Sequence, residues 1–179
     1  MSFLTKFFAR TDPREQMAPL YAALVAEARQ PHWYAMGGVP DTREGRFDML
    51  AAILSLTLLR LEQDPVQNQN SVFLTELFVE DMDGQLRQFG IGDMIVGKHI
   101  GKLMAALGGR LGAYRAAVGG TEDWGAVVTR NIWAEAPVEP QQRDHVVSGL
   151  RAFAAALQEA QTASIVAGNL PDLSGKTNL

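Results

Sequence analysis

The segment from Phe47 to Leu61, FDMLAAILSLTLLRL, is apolar at nearly every angle around a helical axis. A helix with no polar face must be covered on all sides. The segment therefore predicts a central helix in a bundle, wrapped by the chain before and after it. Asp41 or Thr42 can cap its start, and Asp64-Pro65 ends it. Its longest uncharged stretch, Met49 to Leu59, falls well short of the roughly 20 residues that span a bilayer.

The neighbours are legible as helices too. Strand signals are nearly absent, and apolar residues recur at spacings of three and four. Asp12 as N-cap and Pro13 at N1 open a first helix whose face is Met17, Leu20, Tyr21, Leu24, Val25 and Ala28, with Pro31 as its stop. A third helix, from about Ser71 to Gln88, sets Phe73, Leu74, Leu77, Phe78 and Met82 on one arc and Glu76, Glu80, Asp83 and Arg87 opposite. Asp81 interrupts the apolar arc. An unpartnered buried carboxylate is costly, so a structural buried ion pair of Asp81 with Arg46, or else Arg43, is expected, while Asp83 pairs with Arg87 on the surface.

From Met94 to Gly120 the chain is rich in Gly and Ala, and is either one helix or two broken near Gly108-Gly109. A helix starting at Thr121 and another from Glu139-Pro140 to about Ile165 follow. The fold class is all-α, a single helical bundle of five to seven helices. It divides into a short amphipathic N-terminal segment (1–10), a helical domain (11–167) and a polar tail expected to be disordered (168–179).

With 179 residues, 47% hydrophobic and 20% charged, the chain has the composition of an ordinary globular domain, and a net charge of −4 gives no reason to expect specific DNA binding. The absence of cysteine excludes disulfides, thiolate metal sites and thiol catalysis. Asp81-Met82-Asp83-Gly84 fails the calcium-loop spacing, Gly175-Lys176-Thr177 fails the phosphate-loop spacing, and Gly90-Ile91-Gly92 fails the dinucleotide pattern. His32, His99 and His145 lie far apart in sequence, which reads as satisfied or exposed histidines. No catalytic residue, metal or cofactor is implied. The N-terminal cluster Phe3, Leu4, Phe7 and Phe8 is too short for a signal peptide; it either lids the core or lies on a membrane interface. The expected location is cytoplasmic, or peripheral at the inner face of the membrane.

Two stretches carry more specific chemistry than connecting segments need: ARQPHWYAMGGVPDTREGRFDML, around Arg29 to Asp48, and VEDMDGQLRQFGIGDMIVGK, ending at Lys98. They resemble the ubiquinol-cytochrome c chaperone family, assembly factors of the respiratory bc1 complex. The resemblance implies a helical, non-enzymatic protein that receives newly made cytochrome b or an early bc1 intermediate, acting with a partner assembly factor. Such a chaperone needs an apolar groove rimmed by charge. The candidate client-binding residues are Trp33, Tyr34, Met36, Val39, Arg43 and Phe47, and the basic run Lys98 to Arg115 is either a solvated face or a surface docking on the ribosome or membrane. The alternative is a small-molecule or cofactor-binding enzyme built on Asp41, Arg43, Arg46, Asp48, Asp81 and Arg87.

Overall fold

A computed structural model describes residues 12–88, 93–134 and 136–171, without the side chains of 85–88 and 93–99. Every regular element among these residues is helical. A 3₁₀ turn, Pro13–Met17, leads into α1 (Ala18–Ala28), followed by α2 (Pro31–Ala35), α3 (Arg43–Leu61), a second 3₁₀ turn, α4 (Asn68–Gln88), α5 (Asp93–Val118), α6 (Trp124–Ile132), α7 (Pro140–Glu159) and α8 (Thr162–Val166). The six helices of nine residues or more make the expected all-α bundle. The N-terminal segment, the Gly90–Gly92 turn, the Asp83–Arg87 pair and residues 172–179 lie outside what is described.

Helix α3 is the axis. Every residue from Met49 to Leu59 is buried, and α3 packs on α1, α4, α5, α6 and α7. Its two buried hydroxyls are satisfied within the helix, Ser55 donating to the Ala51 carbonyl at 2.6 Å and Thr57 to that of Ile53 at 3.0 Å. Thr42 is the cap, its hydroxyl accepting from the Gly45 N–H at 3.1 Å.

Several boundaries differ from the sequence expectation, each for a local reason. Asp12 caps as predicted, but over a 3₁₀ turn. Pro31 begins α2 as well as following α1, since proline fits the first position of a helix. The cap of α6 is Asp123, which accepts from the Ala126 N–H at 2.9 Å; Thr121 instead donates to Ala116 and closes α5. The last helix stops at Glu159 rather than near Ile165. Arg60 reaches across from α3 and donates to the carbonyls of Leu157 at 2.8 Å and Ala160 at 3.1 Å, and to the Thr162 hydroxyl at 2.9 Å, so α7 ends and α8 begins on one guanidinium. Helix α5 runs through Gly108-Gly109 unbroken.

The connection from α1 to α3 is held by three side chains. The Trp33 indole N–H donates to the Glu27 carbonyl at 2.9 Å, the Tyr34 hydroxyl to Ala28 at 2.8 Å, and the Trp133 indole N–H to Gly38 at 3.0 Å. Gly38 takes φ +64°, the reversal expected within the Gly37-Gly38 pair. A Cβ at Gly149 would stand 2.6 Å from the Trp33 ring, so glycine there lets the indole seat against α7. On the same contact His32 Nδ1 meets His145 Nε2 at 3.0 Å, although 113 residues separate them; one nitrogen must carry the proton and the other accept it.

Two outcomes are expected. A Cβ on Gly112 of α5 would meet nothing within 4 Å, so Gly112→Ala should raise stability by about 0.5–1 kcal/mol in urea unfolding. Burial, and then the proximity of His145, hold His32 below its usual histidine value. The unfolded chain then binds more protons between the lowered folded value and about 6.5, so stability is lost as pH falls through that window. Melting temperature should fall with pH across it, and His32→Gln should flatten the slope.

Candidate functional site

The N-terminal half of α3 meets the end of α1, the middle of α4 and the middle of α5 around a groove of about 740 Å³. Its apolar lining comes from Val25 and Ala28 of α1, Phe47 and Leu50 of α3, Met82 of α4, and Leu103 and Ala106 of α5. Phe47 packs against Phe78 with ring centroids 5.9 Å apart. Arg29, Asp41, Arg43, Glu44 and Arg46 surround this lining as an exposed polar rim.

The groove's charges are organised largely by pairing. Arg46 Nε donates to Asp41 at 2.7 Å on the rim, and this guanidinium holds the Asp41 carboxyl below the usual carboxylate range. Asp81 is half-buried and accepts the Tyr21 hydroxyl at 2.7 Å; burial first, and then this carboxylate, push the Tyr21 phenol well up. Deeper in, Arg110 of α5 pairs with Asp48 of α3, the side chains being only 18% and 19% exposed. Burial pushes the Asp48 carboxyl up despite this partner. The Arg110 guanidinium also lies over the Phe47 ring, 5.2 Å from its centroid.

Of the residues singled out from sequence, Arg43 and Phe47 line this groove, together with Asp41, Arg46, Asp48 and Asp81. Trp33 and Val39 do not: they are 0% and 3% exposed, and belong to the core. The hydrogen bonds and the α7 contact described above make Trp33 an internal strut. Tyr34 is half-buried with its hydroxyl committed to Ala28, and Met36 is 58% exposed, but neither lines the groove. Of the two arginines expected as the buried partner of Asp81, Arg46 is also corrected. Arg46 is 56% exposed and bound to Asp41, because it lies within one helical turn of the Thr42 cap, where the chain is still at the surface.

Sequence reasoning counted Arg110 in a surface basic run and missed its burial against Asp48, and it missed Leu103 and the His32–His145 contact. Arg110 had a signal: it falls at three- and four-residue spacing with Leu103, Leu107 and Tyr114, and so breaks an apolar arc as Asp81 does. The histidine contact had none, since it depends on where α2 and α7 cross. A second cleft, of about 530 Å³, lies between α6 and α7 beside Trp124, Arg130, Arg143 and Arg151, and contains none of the sequence-derived site residues.

Removing one partner of the inner pair strands a buried charge. Asp48→Ala should destabilise by about 2–3 kcal/mol, whereas the double change Asp48→Leu with Arg110→Leu should cost under about 1 kcal/mol. Urea unfolding of the three proteins measures both.

Comparison with known proteins gives a consistent result. The family model described as ubiquinol-cytochrome C chaperone matches residues 36–172. A crystal structure of the Cbp3 homolog from Brucella abortus is 32% identical in sequence and superposes with a TM-score of 0.77, covering 89% of this chain and 90% of that one. No curated protein matches. With the groove-forming residues from Asp41 to Arg110 all inside the matched region, the chain belongs to the ubiquinol-cytochrome c chaperone family.

Proposed function

We propose that this protein is a non-enzymatic assembly chaperone of the ubiquinol-cytochrome c reductase, and that it receives newly made cytochrome b, or an early intermediate containing it, in the groove between α1, α3, α4 and α5. The observation that carries this reading is the groove's construction: an apolar lining from four helices inside a rim of exposed charges of both signs. An apolar helix laid into such a groove is shielded from water on one face, while the solvated rim keeps the empty chaperone from adhering to itself. Family membership supplies the client complex.

The charged residues that could instead have formed a reactive centre are largely engaged in structural contacts, Asp41 with Arg46, Asp48 with Arg110, and Asp81 with Tyr21. This supports recognition over catalysis. No described helix is long and apolar enough to cross a membrane. The proposed site of action is the cytoplasmic face of the membrane, by peripheral contact.

A strain lacking the protein should lose mature bc1 complex and haem-loaded cytochrome b while other respiratory complexes persist. Leu103→Asp, which places a charge in the half-buried wall of the groove, should reproduce that loss with helicity retained by circular dichroism. Normal bc1 levels in the deletion strain would remove the assignment. Normal levels with Leu103→Asp would move the client to another face.

A further inference from the structure

Arg110 stands out among the groove's charges as incompletely satisfied. A guanidinium has five N–H donors. Arg110 gives one to Asp48, and another reaches the Ala106 carbonyl at 3.4 Å, close to the outer limit for a hydrogen bond. Among the described residues its Nε–H is buried without an acceptor, and one helical turn along α5 the Tyr114 hydroxyl is fully buried and likewise has none. Native proteins leave few buried donors unmatched; the Nε is itself out of reach, so the donors open to an incoming acceptor are the remaining Nη hydrogens, on a side chain that is 18% exposed and lines the groove. Asp48 does not fill the deficit, since its contact with Arg110 is through one Nη alone.

The position of this guanidinium matters as much as its open donors. It lines the groove next to Phe47, with Leu103 and Ala106 on its own helix and Leu50 and Met82 across from it. The lining outside the inner pair cannot select an occupant by net charge, because Asp41, Glu44 and Asp81 balance Arg29, Arg43 and Arg46. Selection therefore falls to the open donors of the inner arginine. A planar carboxylate matches the guanidinium fork and gains most in a partly desolvated site. The open groove between helix walls suits a helical protein segment, whose polar side would meet the solvated rim.

Resting on the chaperone reading of this groove, we infer that its occupant is an apolar helical segment carrying one carboxylate, and that this carboxylate binds Arg110. The apolar walls hold the segment, and the arginine sets its register, since only one placement brings the acid to the guanidinium.

The test uses the purified full-length protein and one fluorescent apolar helical peptide made with Glu, Gln or Leu at its centre, in about 0.15 M salt. By anisotropy the Glu peptide should bind about tenfold more tightly than the Gln peptide. In the Asp48→Leu, Arg110→Leu double variant that preference should shrink to within about twofold while the Leu peptide still binds. Should that variant not fold, Arg110→Lys keeps the charge beside Asp48 but lacks the fork, and should reduce the preference about threefold or more. Equal affinity of the Glu and Gln peptides for the unmodified protein, or a preference that survives in the variant used, overturns the inference and leaves the groove reading standing. Failure of all three peptides to bind overturns the groove reading itself. Saturation by decanoate without discrimination among the peptides would mark a fatty-acid site and also overturn the inference.

Discussion

A helix without a polar face cannot exist alone in water, and α3 is such a helix. Its burial requires neighbours on every side, which is why α1, α4, α5, α6 and α7 all contact it. The surrounding helices do not need strong faces of their own, because each has only to cover part of one apolar cylinder. The same constraint locates the groove. Near the capped start of α3, Asp48 and the exposed residues before it replace the uninterrupted apolar run, so α1, α4 and α5 meet there around a mixed surface rather than a dry one.

The fold was legible because hydrophobic periodicity and cap chemistry are local. The all-α bundle, the Thr42 cap, the burial of α3 and the positive φ in the Gly37-Gly38 pair all follow from residues close in sequence. What sequence did not reveal depends on crossings. Arg60 ends α7 from about a hundred residues away, and His32 meets His145 beside the place where Trp33 seats against Gly149. Neither contact has a spacing rule.

The residues singled out from sequence divide between groove and core for a related reason. Phe47 and Arg43 lie on α3, whose orientation follows from its capped start, and both line the groove. Trp33 and Val39 sit in a segment that looked like a loop with aromatics to spare, yet that segment folds back on α7 and uses them inside. An aromatic in a connection is as useful for anchoring the connection as for gripping a partner, and composition does not separate the two. The inner Asp48–Arg110 pair joins two residues that each interrupt an apolar pattern on separate helices. Such paired interruptions are the sequence trace of a buried ion pair.

Helix α5 holds five glycines, and those at 101, 108, 109 and 112 border no atom that a methyl group would strike. Each lowers intrinsic helix stability by about 1 kcal/mol relative to alanine, so the helical state of α5 leans on its packing against α3, α4 and α6. Detached from those neighbours, the segment would lose much of its helicity. The wall of the groove that carries Leu103, Ala106 and Arg110 is thus the one with least rigidity of its own, and its outward amides are placed to exchange with solvent well before those of α3. A surface that must close on segments of differing shape is well served by one wall that takes its form from contact.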